Sequence, residues 1–485
     1  MKQSYKKVNS WLSALPVILI CAFILRLFQL SNQSLWLDEI LNLTWSRLAT
    51  AGDIIKLLSE KDNSPPLYYL FQHFWLYLGQ SEAIVRLPSV IAGVITVFLG
   101  YKTARLFFDK SISGLCALLL SISPFFIWIS QEARMYAFLG MFGLASFYWF
   151  IRAVREDSLK TWSFYTLFSL FTIYTHYYGF FTILAEFAFL LSTIRSKSTI
   201  KHYAYSLIIV LFLFTPGLIL FMKQFLNSTR RQEGLFPSTI WAVPHAFFDF
   251  SVGYSLIPVG FKFYFRNPLY FIVVSALAGL AFIVPFINGV YLLIKRNIYL
   301  PLFYFFIPLL ASFAVSLKVH IFGSKYLVCS AVAYFIILAY GLFNLKGKFL
   351  RLVFITLILV IMALSTLRYY SSCYFSKGGL REVAQFILKN ERKGDYIIFP
   401  QPIASVAFAY YYSGKNAALG LLTDKKEVDT GRLSFKPGER IWYIDDLEFI
   451  YDPSGSVKKY LSKYAQEEES CIVRNVKIIR YSVKE

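Results

Sequence analysis

The chain has 485 residues, of which 57% are hydrophobic and 16% are charged, and its formal net charge is +21. Soluble domains have roughly 45–50% apolar and about 25% charged residues, so this composition excludes an ordinary soluble protein. The basic residues stand mainly in short segments between apolar runs, as positive-inside topology explains. No basic stripe with interleaved aromatic residues indicates nucleic-acid binding.

Apolar segments that can cross a bilayer recur along the chain, and they predict about eleven transmembrane helices of roughly 20 residues each. The first segment follows a basic start and lacks a clear cleavage site of small residues, so we expect a retained helix. The segments are 11–30, 84–106, 112–130, 135–152, 163–176, 178–194, 203–222, 268–294, 299–317, 327–344 and 350–367.

The basic residues predict the orientation of these helices. Lysines precede the first segment, and every second connection is basic, at 102–110, 152–160, 195–201, 295–296 and 346–351. Because lysine and arginine accumulate on the cytoplasmic side, the N-terminus is predicted to be cytoplasmic. The connections that then face outward are 31–83, 131–134, 176–178, 223–267, 318–326 and the tail from 370.

The first outer loop, 31–83, contains two stretches with helical patterns that are too short to span easily. Leu35–Leu48 is amphipathic, and Pro65–Leu78 is apolar and aromatic. Both are predicted to lie on the membrane surface. If Pro65–Leu78 crossed the membrane, every later loop would change sides, which contradicts the charge pattern.

The tail has the pattern of a separate soluble domain. Gly379–Asn390 has helical periodicity, and the predicted strands are Tyr396–Phe399, Ile441–Ile444 and Ile472–Tyr481. No catalytic constellation stands out there. The predicted domains are a membrane domain, 1–370, and a small extracytoplasmic α/β domain, 371–485.

Three polar strings interrupt the apolar pattern, and all lie in outward connections: Trp36–Glu39, Gln131–Tyr136 and His176–Tyr178. A charge in hydrocarbon is costly unless it faces protein or water, so these residues are functional candidates. A carboxylate can accept the proton of an incoming hydroxyl, and an arginine can neutralise a phosphate leaving group. Together they suit group transfer from a lipid phosphate.

Structural roles compete with these functional ones. Adjacent helical residues point about 100° apart, so one of Asp38 and Glu39 is expected to face the site and the other to support it. Asp38 could instead cap or solvate a surface helix. Glu132 and Arg134 could form an ion pair at a helix end, and His176 could be an interfacial aromatic residue.

The motifs, taken in their order, resemble those of a known family. They are Leu-Trp-Leu-Asp-Glu at 35–39, Pro-Pro-Leu-Tyr-Tyr at 65–69, Arg-Leu-Pro-Ser at 86–89, Ser-Gln-Glu-Ala-Arg-Met-Tyr at 130–136 and Tyr-Thr-His-Tyr-Tyr at 174–178. The pattern resembles bacterial protein O-mannosyltransferase-like glycosyltransferases, which are related to the aminoarabinose transferase of lipid A. The resemblance is strong over about 1–200 and looser to about 345.

This resemblance implies a polytopic α-helical membrane protein of GT-C fold with a small C-terminal extracytoplasmic α/β domain. It also implies transfer of a hexose-type sugar from a polyprenyl-phosphate donor to a hydroxyl group of a glycan, lipid or protein. The reaction is expected at the outer face of the cytoplasmic membrane. Hexosyl and pentosyl transfer both stay open, and so does the use of a divalent cation.

The resemblance also implies roles for individual residues. Asp38 matches the catalytic aspartate and would be the general base, with Glu39 as its partner. Glu132 would position the substrate or Asp38, and Arg134 would meet the lipid phosphate. The other residues expected near the donor are His176, Tyr177, Lys325 and Tyr326.

One position departs from the family pattern, and one further residue is a candidate outside the motifs. Relatives often have His before the double proline, where this chain has Ser64, which weakens a metal site there. Arg230 lies in the long outer loop 223–267, where it could belong to a cover over the site or to a solvated loop.

The alternative function is a transporter or flippase for lipid or polysaccharide. Transport would favour charges along the spans, or repeated halves with broken helices. The charged motifs gather at one face instead, and no half-repeat is visible in the sequence. Sugar transfer is therefore the leading hypothesis.

Overall fold

The computed structural model contains two compact units. The membrane unit is Met1–Leu30 with Trp45–Tyr369, and the second unit is Ser31–Thr44 with Tyr370–Glu485. The residues that the structure describes are 15–193, 196–231, 239–255, 268–319, 321–371, 379–422, 428, 435–445, 452, 454–474 and 476–484.

Helices dominate because apolar segments in lipid must satisfy their own backbone hydrogen bonds. In chain order the helices are α1 (Leu15–Leu27), α2 (Leu37–Ser46), α3 (Ala51–Lys61), α4 (Leu67–Trp75), α5 (Glu82–Phe107), α6 (Lys110–Ile122), α7 (Pro124–Ser130), α8 (Tyr136–Glu156), α9 (Leu159–Thr175), α10 (Gly179–Thr193), α11 (Lys197–Leu213), α12 (Thr215–Arg231), α13 (Ala242–Val252), α14 (Pro268–Lys295), α15 (Leu300–Val319), α16 (Val328–Phe343), α17 (Lys348–Ser371), α18 (Leu380–Asn390), α19 (Pro402–Ala409) and α20 (Ser456–Tyr464). Short 3₁₀ turns occupy Leu76–Leu78 and Ser324–Leu327.

The chain is a multi-pass membrane protein. Among the described residues, six helices are long and apolar enough to cross a membrane, or up to eight if each of two bent pairs is one span. The bent pairs are α6 with α7, at 57°, and α11 with α12, at 60°. The helical membrane class is thus confirmed, and each predicted apolar segment coincides with a helix or a bent pair, but eleven separate spans are not confirmed.

Helix α16 lies at the centre of the membrane unit. The spanning window that contains it, at Ser324–Phe343, is 89% buried, whereas that of α17 is 22% buried. A Cβ atom added to Gly341 of α16 would lie 1.8 Å from the carbonyl oxygen of Pro285 in α14. Glycine is therefore required where these two helices approach each other.

Buried polar side chains within the membrane unit bond to one another. The Glu186 carboxyl group of α10 accepts a hydrogen bond from the Tyr165 hydroxyl of α9 at 2.8 Å. Ser146 of α8 and Ser169 of α9 share a hydrogen bond of 2.8 Å. Because a polar group in hydrocarbon is costly without such a partner, these bonds help to fix the packing of α8, α9 and α10.

The second unit contains a sheet whose described strands run in the order β2-β1-β3-β5-β4. The strands are β1 (Tyr396–Phe399), β2 (Ala418–Gly420), β3 (Arg440–Asp445), β4 (Ala465–Val473) and β5 (Val476–Val483). Strand β1 is parallel to β2 and β3, whereas β5 is antiparallel to β3 and β4. Ile398, Tyr443 and Leu461 contribute to the core between this sheet and α20.

One strand prediction is wrong in its extent. The sequence predicts one strand at Ile472–Tyr481, but β4 ends at Val473 and β5 begins at Val476. Arg474 adopts a φ of +59° between them. A left-handed residue of this kind reverses the chain in a tight hairpin, which an alternating hydrophobic pattern does not reveal.

Candidate active site

A buried arginine holds the turn between α7 and α8 that carries the Gln131–Arg134 string. Arg26 of α1 is 0% exposed. Its guanidinium donates to the carbonyl oxygens of Ser121 at 2.9 Å and Leu120 at 3.1 Å, at the C-terminal end of α6. It also donates to Ser130 Oγ of α7 at 3.1 Å. One side chain thus supplies donors to carbonyls that a helix end leaves without intrahelical partners.

The same contacts extend into the functional turn. Gln131 Nε2 donates to the carbonyl oxygens of Arg26 at 3.0 Å and Phe28 at 2.8 Å. Space is tight here, since a Cβ atom on Gly93 of α5 would lie 2.1 Å from Ser130 Oγ and 2.9 Å from Arg26 Nε. The position of the turn therefore depends on α1, α5 and α7 together.

Arg134 belongs to a chain of hydrogen bonds that reaches the first loop. Arg134 Nη1 donates to the hydroxyl oxygen of Tyr69 on α4 at 3.2 Å, and the same hydroxyl donates to the carboxylate of Asp62. Tyr69 is 0% exposed. Burial, and then the charge of Asp62, raise the pKa of Tyr69 well above its usual value. The protonated phenol therefore links the Arg134 guanidinium to a carboxylate.

Aromatic rings lie beside two of the predicted cations. The centroid of the Tyr136 ring is 5.8 Å from the guanidinium carbon of Arg134 and 4.9 Å from Lys325 Nζ. His176 stacks on Tyr326, with ring centroids 5.0 Å apart and planes 27° apart. The structure thus brings together predicted site residues from three connections, and we call Arg134, Tyr136, His176, Lys325 and Tyr326 the basic-aromatic cluster.

The histidine of this cluster is neutral near pH 7. Loss of contact with bulk water, and then the positive charges of Arg134 and Lys325, lower the pKa of His176 to about 3. The Tyr178 backbone N–H donates to His176 Nδ1 at 3.1 Å, which places the ring proton on Nε2. His176 is therefore suited to stacking or to a neutral hydrogen bond, and not to charge pairing with a phosphate.

A buried carboxylate fixes the turn that carries Lys325. The Ser324 hydroxyl donates to Asp249 Oδ2 of α13 at 2.6 Å. The Asp249 side chain is 8% exposed and lies 3.2 Å from His245 Nδ1, and this hydrogen bond raises the pKa of His245. Asp249 thereby anchors the residue that precedes Lys325.

Tyr177 contacts a different part of the membrane unit. Its hydroxyl donates to Gln224 Oε1 of α12 at 2.6 Å. Gln224 Nε2 donates to the carbonyl oxygens of Leu58 at 3.1 Å and Ser64 at 2.9 Å. These bonds tie α12 to the loop before the double proline, so the tyrosine hydroxyl supports that loop.

Glu132 and Arg230 are the remaining candidates of the membrane unit. Glu132 is 1% exposed, and its charge adds to burial in raising the pKa of Tyr254. The Tyr254 ring centroid lies 4.6 Å from that of Trp128. Arg230 falls in the last turn of α12, but its side chain lies outside the described residues, so its donor contact stays a prediction.

Asp38 and Glu39 lie in the second unit, in the first turn of α2. Glu39 is 0% exposed, and its Oε2 accepts a hydrogen bond from the Trp36 N–H at 3.3 Å. A side chain that reaches back to the residue before the helix is half of a capping box. Asp38 is half-buried. The two neighbouring carboxylates therefore have different surroundings.

No metal ligands can be assigned. Within the described ranges, no group of three or more His, Cys, Asp or Glu side chains is arranged to hold a metal ion. Ser64, the residue before the double proline, is held through its carbonyl oxygen by Gln224.

Comparison with known proteins agrees with this architecture. Residues 63–220 match the family described as dolichyl-phosphate-mannose-protein mannosyltransferase. ArnT from Cupriavidus metallidurans, in the apo state, superposes with a TM-score of 0.56 at 13% identity, over 96% of this chain and 97% of ArnT. Together with the family match to part of the chain, this superposition shows that the chain has the GT-C fold. The resemblance read from its motifs is confirmed.

Two further solved structures resemble this chain. ArnT from Cupriavidus metallidurans bound to undecaprenyl phosphate has a TM-score of 0.55 at 12% identity, over 99% of this chain and 98% of that one. The oligosaccharyltransferase AglB from Archaeoglobus fulgidus, in complex with an inhibitory peptide and a dolichol-phosphate, has a TM-score of 0.54 at 11% identity, over 99% and 75%. At these identities the likeness shows the fold. No curated protein matches the chain.

Several residues that build the site escaped the sequence reasoning. Arg26 and Asp249 act through partners that are about 95 and 75 positions away, and no local pattern marks such pairs. Tyr69 stands in the Pro-Pro-Leu-Tyr-Tyr motif, and Tyr136 ends the second polar string. Both tyrosines could have been chosen as candidates, because they stand in the same motifs as the charged site residues or in a neighbouring one.

Proposed function

We propose that this glycosyltransferase moves a hexose-type sugar from a polyprenyl-phosphate donor to a hydroxyl group of a glycan, lipid or protein. The observation that carries the proposal is the placement of two cations, Arg134 and Lys325, on one aromatic ring, that of Tyr136. The resemblance to ArnT, whose structure has been determined with undecaprenyl phosphate, supports a polyprenyl carrier.

The basic-aromatic cluster suits a sugar phosphate. Arginine presents several N–H donors in a fork that matches phosphate oxygens, and lysine adds a point charge. The apolar faces of Tyr136 and Tyr326 suit the hydrocarbon face of a sugar or the first isoprene unit. His176 is neutral there, so the positive charge of the cluster comes from Arg134 and Lys325.

We assign the remaining roles as follows. Asp38 accepts the proton of the acceptor hydroxyl while the acceptor oxygen attacks the anomeric carbon. The bond between that carbon and the phosphate oxygen breaks, and the polyprenyl phosphate leaves with the bonding electrons. Arg134 and Lys325 stabilise the negative charge that develops on the leaving phosphate. Glu39 keeps the first turn of α2 closed, which fixes the residue that precedes it.

The reaction is proposed at the outer face of the cytoplasmic membrane, with the N-terminus cytoplasmic and the second unit extracytoplasmic. The alternation of basic connections supports this orientation. A polyprenyl donor that lies in the outer leaflet then reaches the polar connections from lipid, and the acceptor arrives from water.

Donor consumption by the purified full-length protein tests the proposal. The protein, in nanodiscs, is supplied with undecaprenyl-phosphate hexoses and pentoses and with glycan and lipid fractions as acceptors. We expect release of undecaprenyl phosphate, detected by mass spectrometry, from the wild type but not from Asp38→Asn.

Movement of intact donor between the leaflets of liposomes separates transfer from transport. If the wild type leaves all donors intact but moves them across the bilayer, the flippase alternative is correct and the proposed transfer is wrong. Release that is equal for the wild type and Asp38→Asn would remove the base assignment.

A further inference from the structure

The segment before α2 has little regular structure of its own. Residues 31–36 form turns and irregular backbone directly ahead of the first helical turn. Ser34 and Leu35 are each 1% exposed. A buried backbone group outside a helix or sheet needs a partner from elsewhere, since an unsatisfied N–H or C=O is costly. The position of Asp38 therefore depends on whatever supplies those partners.

Side chains of the C-terminal domain bond to this segment at the buried Leu35 and at the exposed residues Ser31 and Asn32. The Leu35 N–H donates to the Tyr411 hydroxyl oxygen at 2.7 Å, and Tyr411 follows α19. Arg381, in the first turn of α18, donates to the carbonyl oxygens of Ser31 at 3.2 Å and Asn32 at 3.0 Å. These contacts join residues about 350–376 positions apart within the second unit.

The guanidinium of Arg381 is itself held in place. Its Nη2 also donates to Glu382 Oε1 at 3.0 Å, and the Arg474 guanidinium approaches the same oxygen at 3.5 Å. The Arg381 side chain is 25% exposed. An arginine that shares its donors between a carboxylate and two backbone carbonyls has less freedom than a surface arginine. Arg381 therefore restrains the backbone of residues 31–36.

We propose that the C-terminal domain positions the catalytic segment, with Tyr411 and Arg381 as positioning residues for Asp38. This inference rests on the proposed role of Asp38 as general base. Tyr411 fixes the chain three residues before Asp38, and Arg381 fixes it six and seven residues before. A small shift of a catalytic group costs a large part of its rate contribution, because proton transfer needs the group within hydrogen-bond reach of the acceptor.

The proposal predicts a particular kinetic pattern for Tyr411→Phe, which deletes one hydroxyl and leaves the ring. Loss of a hydrogen bond of this kind is expected to lower kcat by about 3- to 10-fold. The KM for the polyprenyl-phosphate sugar should stay unchanged, since the residues assigned to the donor lie in the membrane unit. Arg381→Gln should lower kcat by a similar factor, and Arg381→Lys should recover part of it.

Tyr412→Phe is the matched control. The Tyr412 hydroxyl donates to Glu391 and accepts from the Asn416 N–H at 3.2 Å, both within the C-terminal domain, so its loss removes two hydrogen bonds without releasing the segment 31–36. We expect kcat near the wild-type value for this variant. Equal losses of kcat for Tyr411→Phe and Tyr412→Phe, in proportion to their melting temperatures, would show a general stability effect and overturn the proposal.

Asp38→Asn in the same assay separates the two proposals. If Asp38→Asn is inactive while Tyr411→Phe and Arg381→Gln both retain wild-type kcat, the positioning role is wrong and the base assignment survives. If Asp38→Asn is fully active, the base assignment fails and the positioning inference fails with it.

Discussion

The membrane unit and the second unit place their polar side chains by different means. In the membrane unit, Arg26 is fully buried and donates to backbone carbonyls and a hydroxyl of neighbouring helices. In the second unit, ion pairs such as Lys458 with Asp445, at 2.9 Å, border a sheet and keep 28% and 19% of their side chains exposed. Water screens these pairs, whereas Arg26 is buried away from water and depends on its hydrogen bonds to protein groups.

This difference bears on the candidate residues. The cations near Tyr136 are placed by hydrogen bonds that run through buried side chains such as Tyr69 and Asp249. The carboxylates of α2 are placed by a helix cap and by side chains of the C-terminal domain. The cations proposed to bind the donor are thus held within the membrane unit, whereas the segment with Asp38 is held by contacts within the second unit.

The largest effect is expected in cysteine labelling of the two sides of the membrane, because each position either reacts or is protected. Ser413 is exposed in the second unit, and Ser413→Cys should react with an impermeant maleimide in intact cells. Lys160→Cys, at an exposed position in the first turn of α9, should react only after permeabilisation. The native cysteines give the background. Protection of position 413 together with reaction at position 160 would reverse the orientation.

Replacement of Asp38 should have the largest kinetic effect. Asp38→Asn keeps the shape of the side chain but cannot accept a proton, so we expect kcat to fall by about 10²–10⁴. Its melting temperature should stay near that of the wild type. Glu39→Ala should instead lower the melting temperature, because it removes the side chain that bonds the Trp36 N–H before the helix. Near-normal turnover by Asp38→Asn would contradict this division.

Replacement of Arg134 should act on donor binding. Arg134→Ala is expected to raise the donor KM by about 10- to 100-fold, since hydrogen bonds to charged groups contribute about 1.5–3 kcal/mol. Lys325→Ala should have a smaller effect, because a lysine offers only a point charge. If Arg134→Ala and Glu132→Ala lower the melting temperature alike and leave the donor KM unchanged, Arg134 has a structural role only.

Loss of Arg26 should test the buried anchor of the membrane unit. Arg26→Met leaves the carbonyl oxygens of Leu120 and Ser121 without this donor, at a cost of about 1–3 kcal/mol each. The free energy of unfolding should fall accordingly, as measured by thermal or chemical unfolding in detergent. Arg480→Met, which breaks exposed pairs with Glu468 and Glu469, should cost at most about 1 kcal/mol. If both variants lost the same free energy of unfolding, buried and exposed arginines would contribute equally and the difference between the two units would be wrong.

A pH effect at His176 is the smallest expected change. Its pKa of about 3 in the folded protein lies below the ordinary value of 6.5, so only the unfolded chain binds a proton between these values. Stability from this group is complete above pH 6.5 and decreases as the pH falls toward 3. The melting temperature of His176→Phe should therefore fall less than that of the wild type between pH 7 and pH 5. Parallel curves would exclude a histidine that stays neutral in the folded protein.

The sequence by itself determined the class of the protein and the positions of its helices. Hydrocarbon requires apolar side chains and internally bonded backbone, so every span leaves a readable apolar run. The helix predicted at Gly379–Asn390 is α18, and the strand predicted at Tyr396–Phe399 is β1. The motifs also identified residues of the basic-aromatic cluster, because several polar strings fall at the same end of their helices.

Only the tertiary structure decided how those residues are supported. Arg26 with Ser121, Arg134 with Tyr69, and Leu35 with Tyr411 are 95, 65 and 376 positions apart. Such pairs form because of the bend between α6 and α7 and the course of the chain between distant elements, which local periodicity does not encode. The hairpin at Arg474 was likewise hidden, since a single left-handed residue interrupts an otherwise continuous β pattern. Local pattern specifies an element, whereas the long-range geometry of packing selects its partners.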